Sequence, residues 1–383
     1  MKQEERKMNK RLISIVVAVL MVLTLTPYIY AESTVTDGSR ITSNGTYQVD
    51  PSATGTISID AGKKVTLVGS GIDAEANQEL SIQCGEGANL TLKDLCITND
   101  SDRNILNFTG TGNVLKAEGT NVLESLSYSE KAAIHVGPDA DLSFQDGGGV
   151  LYLYKRTQGS GIGSDAEEAN GAITFDSGRW FVKGTKTGAV IGNDTCGDTA
   201  KEAQIGQITI NGGELYVEAN ARGAAIGGSN MSRAGKVVVN GGTTGIWVDW
   251  TGSAIGAGAS MRSDGQANGV LSVNGGSIKV HVDDNCVLDW GIKEAQEWDS
   301  PITAQKVNSS NQAVARYVLD LSEYTANTSG DAYVVKVDGK EFYRGGLHEY
   351  EYIANTQSTI ANWEQKKSDR NLYLYLTEGT HTL

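Results

Sequence analysis

Proline is nearly missing from this chain: of four in 383 residues, only Pro51, Pro138 and Pro301 follow Pro27. A proline cannot donate the amide hydrogen that a strand paired on both sides must give. Its absence over residues 139–300 therefore leaves room for an unbroken strand ladder. Histidine is as scarce, with His135, His281, His348 and His381 scattered along the chain; no Ser-His-Asp or metal-ligand signature is present. Cys84, Cys96, Cys196 and Cys286 are spaced like no zinc motif. Buried free thiols are favoured over a Cys84–Cys96 bridge, because unpaired cysteine is so often a core residue. Positive charge is also short: the formal net charge is -14, which excludes nucleic acid as a partner, since binding it depends on Lys and Arg neutralising phosphates.

Only one long apolar run occurs. Residues 1–11 carry five basic side chains, residues 12–25 form an uncharged run that is apolar but for Ser14 and Thr24, and residues 26–31 end on Ala31 before Glu32. That is the layout of a signal peptide over residues 1–31; Pro27 and the polar stretch after it disfavour a retained anchor. Cleavage would remove five basic and two acidic residues, leaving -17 on an extracellular, secreted or surface-displayed protein.

What is abundant is glycine, 47 residues, set out with a period. Ile173-Thr174-Phe175-Asp176, Ile208-Thr209-Ile210-Asn211, Val237-Val238-Val239-Asn240 and Leu271-Ser272-Val273-Asn274 each place two apolar residues around an outward one, then Asp or Asn, then a glycine turn. A second run follows each: Trp180-Phe181-Val182, Leu215-Tyr216-Val217, Ile246-Trp247-Val248 and Ile278-Lys279-Val280, preceded one coil earlier by Leu151-Tyr152-Leu153. A third landmark is an Ile-Gly step at Ile162, Ile191, Ile226 and Ile255. Three short strands and three turns in about 30 residues describe one coil of a solenoid. The expected fold is all-β: a right-handed parallel β-helix over residues 32–290, most regular in 139–282. A small β module follows over 301–383, truncated or ending in an edge strand. Asp338-Gly339 marks a hairpin there, and residues 291–298 suggest a short helix. The Asp176, Asn211, Asn240 and Asn274 column belongs to turns, where amide side chains bond nearby backbone.

Thr46-Tyr47 through Gly55-Thr56-Ile57-Ser58-Ile59, Val65-Thr66-Leu67, Gly110-Thr111-Gly112-Asn113-Val114-Leu115 and Gly119-Thr120-Asn121-Val122-Leu123 resemble the secreted carbohydrate-binding β-helix domains of bacterial cell-surface proteins. Ile208-Thr209-Ile210-Asn211-Gly212-Gly213 and Ala224-Ala225-Ile226-Gly227-Gly228 are similar to the glycine-rich repeats of related surface proteins. The resemblance covers about two thirds of the chain after residue 31. It implies non-catalytic binding of a polysaccharide or cell-wall glycan, assisted by Ca²⁺, on a fold related to polysaccharide lyases. No ligand residue carries over from it.

The residues themselves suggest where a glycan would lie. Aligning the second runs puts Tyr152, Phe181, Tyr216 and Trp247 in one outward column that ends at Lys279, with Tyr154, Lys183, Glu218, Asp249 and His281 two residues further on. The expectation is a ring-stacking strip beside a polar strip. The competing account is an aromatic ladder that stabilises the sheet, or one covered by the C-terminal module. For Ca²⁺, the loops after the Ile-Gly steps offer Asp165, Asn193, Asp194 and Asp198 as an oxygen cage, against a plain solvated acidic loop. No catalytic residue is assigned. A lyase or glycoside hydrolase built on Asp194, Asp198, Lys201 and Arg222 is the enzymatic alternative, and an adhesive stalk with a protein partner is the structural one.

Overall fold

The computed structural model describes residues 33–194, 206–230, 232, 235–248, 254–256, 258, 270–282, 288–289, 292–293, 305–307, 314–320, 333–345 and 371–383. The chain from Val35 onward is one compact unit. Every regular element among the described residues is a strand. Three long sheets of eleven, nine and ten strands hold nearly all of them, and from Lys64–Val68 onward each regular coil gives one short strand to each sheet in turn. Strands one coil apart pair in parallel throughout the repeats. This is a parallel β-helix.

The first sheet sets the bore. Phe144, Phe175, Ile210 and Val239 stack in register through successive coils, and all four are fully buried. Phe144 and Phe175 lie ring on ring with centroids 4.5 Å apart, close to the strand spacing itself. At the end of these strands Asn211 donates to Asp176, Asn240 to Asn211, and Asn274 to Asn240, at 2.8, 2.8 and 2.7 Å. The column thus forms a continuous amide ladder.

The second sheet carries the Ile-Gly steps, and Ile134, Ile162, Ile191, Ile226 and Ile255 are in register as the repeat predicts. The glycine that follows Ile162 and Ile191 is obligatory. Gly163 and Gly192 have φ of 145° and 141°, and a Cβ on them would sit 1.6 and 1.9 Å from the carbonyl oxygen of the next coil's glycine. The close approach of neighbouring backbones leaves no volume for a side chain.

In the third sheet Leu151, Trp180 and Leu215 pair in register, as do Leu153, Val182, Val217 and Ile246. Here the expected alignment slips. Ile246 lies opposite Val217, not Leu215, so Trp247 pairs with Glu218 and Gly245 with Tyr216. The strand restarts directly after the turn, at Thr243 as at Glu214. Thr244 therefore takes the inward site held by Leu215 one coil earlier, with its Oγ1 buried and unpartnered among the described residues.

The cysteines are free and buried where described. Cys84 faces the bore between Ile59 and Phe108, whereas Cys96 lies in a separate cluster on the outer face of the third sheet. Beyond residue 300, Gln305–Val307 extends the first sheet, and Asn371–Thr377 joins Val314–Asp320 to the third sheet through antiparallel pairing. The hairpin at Asp338-Gly339 is present, with both residues at positive φ. Ile292–Lys293, by contrast, is a two-residue strand paired with Leu288–Asp289 and not part of a helix.

Two substitutions test the stack. Ile226→Asp would bury a charge at a fully buried site, at a cost of several kcal/mol. Gly192→Ala must push two coils apart. Both should lower the denaturant midpoint sharply, and a parental midpoint in either would show that the coil register is wrong.

Candidate functional site

The outer face of the third sheet does not present the expected strip to solvent. Tyr152, Phe181 and Tyr216 do stack, with centroids 4.8 and 4.7 Å apart, but they are 1%, 4% and 1% exposed. With Tyr154, Trp247, Cys96, Val122 and Val150 they form a second apolar cluster outside the bore, flanked by Ile72 and Ala76. Trp247 belongs to the neighbouring column, and the strand Lys340–Gly345 lies against Thr243–Val248 and Ser277–Val282 at that end. In the polar column Lys183 and Glu218 form a largely buried ion pair at 2.6 Å. Asp249 lies outside the described residues. The face is a covered layer, so its rings hold the fold as they stand.

The expected Ca²⁺ cage is also dispersed. Asn193 and Asp194 are fully buried; Asn193 Oδ1 accepts from the Ser229 amide, and the Asp194 carbonyl accepts from Ser229 Oγ. These residues knit one coil to the next. Asp165 is drawn the other way. Its Oδ1 accepts from the Ala132 amide at 2.8 Å and from Asn104 Nδ2 at 2.7 Å, while Oδ2 meets Lys131 Nζ at 2.8 Å. Asp198 and Lys201 lie outside the described residues, and Arg222 bonds through its backbone amide to the Lys186 carbonyl.

A different place gathers accessible polar groups around an aromatic ring. It is the corner where the chain leaves the third sheet for the second, and there the segments after Cys96–Asn99, Thr120–Ser125 and Val150–Lys155 stack on one another. They enclose a groove of about 460 Å³ lined by Asp102, Tyr128, Ser129, Glu130, Lys131 and Gln158, with Asp165 and Ala166 from the loop after Ile162–Gly163. Tyr128 is 73% exposed. The Lys186 ammonium lies 4.1 Å from its ring centre, a cation–π contact, and Lys186 holds a φ of 83°, a strained value for a side-chain-bearing residue. Asp102, Glu130 and Gln158 have no side-chain hydrogen-bond partner among the described residues, and Ser129 Oγ is buried without one.

Lys155 supports this corner from beneath. It is 1% exposed and donates to Ser125 Oγ and to the carbonyls of Ser127 and Ser129, on either side of Tyr128. Burial pushes its ammonium down to about 8, against a partial offset from Asp194, Asp165 and Asp102. Lys131 moves the opposite way, raised chiefly by its hydrogen bond to Asp165. Sequence reasoning missed Tyr128 because it falls between the periodic runs. The signal was its isolation: a tyrosine in Ser127-Tyr128-Ser129-Glu130, with no apolar alternation to bury it.

Two outcomes follow. Tyr216→Ala should destabilise the fold by about 3–5 kcal/mol, as truncation of a buried ring does; an unchanged midpoint would mean that the outer face is open. Between about pH 8 and 10.5 the unfolded chain keeps the Lys155 proton that the folded protein has lost, so this residue makes stability rise with pH across that window. Below pH 8 its burial costs about 3 kcal/mol, at about 1.4 kcal/mol per unit. The stability of the parent relative to Lys155→Met should therefore be flat near neutrality and shift in the parent's favour above pH 8; a flat difference throughout would contradict it. No family model matches the chain, no curated protein matches it, and no solved structure matches it, so its function has to be read from this corner.

Proposed function

We propose that this protein is an exported, non-catalytic glycan-binding β-helix whose binding surface is the Tyr128 groove. The observation that carries this is one exposed ring set among partnerless acceptors: Tyr128 with Asp102, Glu130 and Gln158. A pyranose offers a C–H face to a ring and a rim of hydroxyl donors, and carboxylates accept such donors strongly. The groove volume falls within the range of small-ligand clefts, about 300–1000 Å³. Its three carboxylates outnumber the ammoniums of Lys131 in the lining and Lys186 on the Tyr128 ring, which favours a neutral chain over a uronate polymer in an already acidic protein. The stacked coils supply a rigid support, so the loops need little ordering on binding.

Retention on neutral insoluble polysaccharides tests the reading. Tyr128→Ala should weaken binding by about 30-fold, the equivalent of about 2 kcal/mol for an aromatic anchor, and its exposure means that the melting temperature should hardly move. Undiminished retention by that folded variant, or no retention by the parent on any neutral glycan, would overturn the proposal.

A further inference from the structure

Beside the groove, and sharing Asp165 with it, His135, Asp165 and Glu168 bring one nitrogen and two carboxylate oxygens within 4.8 Å of one another. His135 stands on the second-sheet strand Ile134–Val136, while both acids lie on the loop one coil further on. The residue paired with His135 in that next coil is Gly163, so no side chain stacks above the imidazole.

Each member is held by an outer partner. His135 Nδ1 lies 2.7 Å from Asn107 Oδ1, and Asn107 in turn donates to Gln83 Oε1 at 2.8 Å. With a hydrogen on Nδ1 directed at Asn107, Nε2 is the nitrogen that faces the carboxylates, 2.5 Å from Glu168 Oε1 across a shared proton that a metal ion would displace. That oxygen also accepts from the Asp165 amide at 3.0 Å, and the Asp165 carboxylate is fixed by Ala132 and Asn104. Outer-shell hydrogen bonds of this kind orient metal-ligating histidines and carboxylates.

We propose that His135 Nε2, Asp165 and Glu168 form a binding site for a divalent transition ion of the Zn²⁺ type. An imidazole with two carboxylates suits such an ion, whereas Ca²⁺ takes six to eight oxygens. Lys131, paired with Asp165 and 42% exposed at its side chain, is the counter-ion that a metal replaces, and it has solvent to move into. Three protein ligands leave one coordination position open, as at exchangeable zinc sites. Asp165 also lines the groove, so an ion here would stand next to a ligand bound at Tyr128.

Chelator-treated, full-length protein is titrated with Zn²⁺ by calorimetry and with Co²⁺ by visible absorption, with Ca²⁺ in parallel. The expected result is one Zn²⁺ site and a Co²⁺ spectrum without the sulfur charge-transfer band that cysteine ligands would give. His135→Gln and Glu168→Gln should each weaken Zn²⁺ at least tenfold, Asn107→Ala about tenfold through loss of the outer partner, and Lys131→Met should tighten it by removing the competing cation. Melting curves identify any variant that has lost its fold, and Lys131→Met, at a half-exposed position, then carries the test alone. Absence of Zn²⁺ binding in the parent, equal binding in folded His135→Gln and Glu168→Gln, looser binding in Lys131→Met, or stabilisation by Ca²⁺ alone would each overturn the site.

Discussion

Everything in this molecule depends on neighbouring coils lying one strand spacing apart, about 4.8 Å, with equivalent residues on top of one another. At that distance a side chain meets its own counterpart, so each column must be built from residues that tolerate self-stacking. Phenylalanine on phenylalanine and isoleucine on isoleucine do so in the bore. Asparagine does so in the turn, donating with its amide and accepting with its carbonyl. Only glycine does so where backbones approach so closely that a Cβ would fall on the next carbonyl. The repeat is the sequence record of that single distance.

Because the constraint acts on every coil alike, the fold was largely legible from the residues. The isoleucine register, the bore-facing pairs and the hairpin at Asp338-Gly339 all follow from period and turn chemistry, whereas the amides of the Asp176, Asn211, Asn240 and Asn274 column, expected to bond nearby backbone, bond one another from coil to coil. The third sheet shows where such reasoning failed. Matching Ile246-Trp247-Val248 to Leu215-Tyr216-Val217 by apolar alternation gave the wrong pairing, since Asn240-Gly241-Gly242 fixes where the strand starts and Thr244 occupies a buried apolar site. Turn position outranked hydrophobic pattern. Alternation also says only that two faces differ; it cannot say whether the outward face is wetted or covered. Tyr152, Phe181 and Tyr216 are on the outer face and buried nonetheless.

The candidate site was illegible for the opposite reason. Tyr128, Gln158 and Asp102 sit in segments between strands, where no period operates, and their meeting depends on three successive coils placing their corner loops in one stack. Asp165 was visible as an acid in a loop, but not its partners Ala132, Asn104 and Lys131. His135 was read as one of four scattered histidines, although the register sets it above Asn107 and below a glycine. The division of labour is physical: the self-stacking columns fix the coils rigidly, and the aperiodic corner holds groups outside the ladder such as the partnerless Ser129, with the strained Lys186 at the end of the adjoining strand Arg179–Lys186.

The central claim, that the aromatic surface open to a ligand is Tyr128 and not the ring column of the third sheet, can be measured directly by tyrosine footprinting of the native protein read by mass spectrometry, with and without a retained glycan. The account predicts rapid modification of Tyr128, protection of Tyr152, Tyr154 and Tyr216 until the protein unfolds, and loss of the Tyr128 signal when the glycan is present. Native-state modification of Tyr152 and Tyr216 that the glycan suppresses, with Tyr128 unaffected, would contradict it.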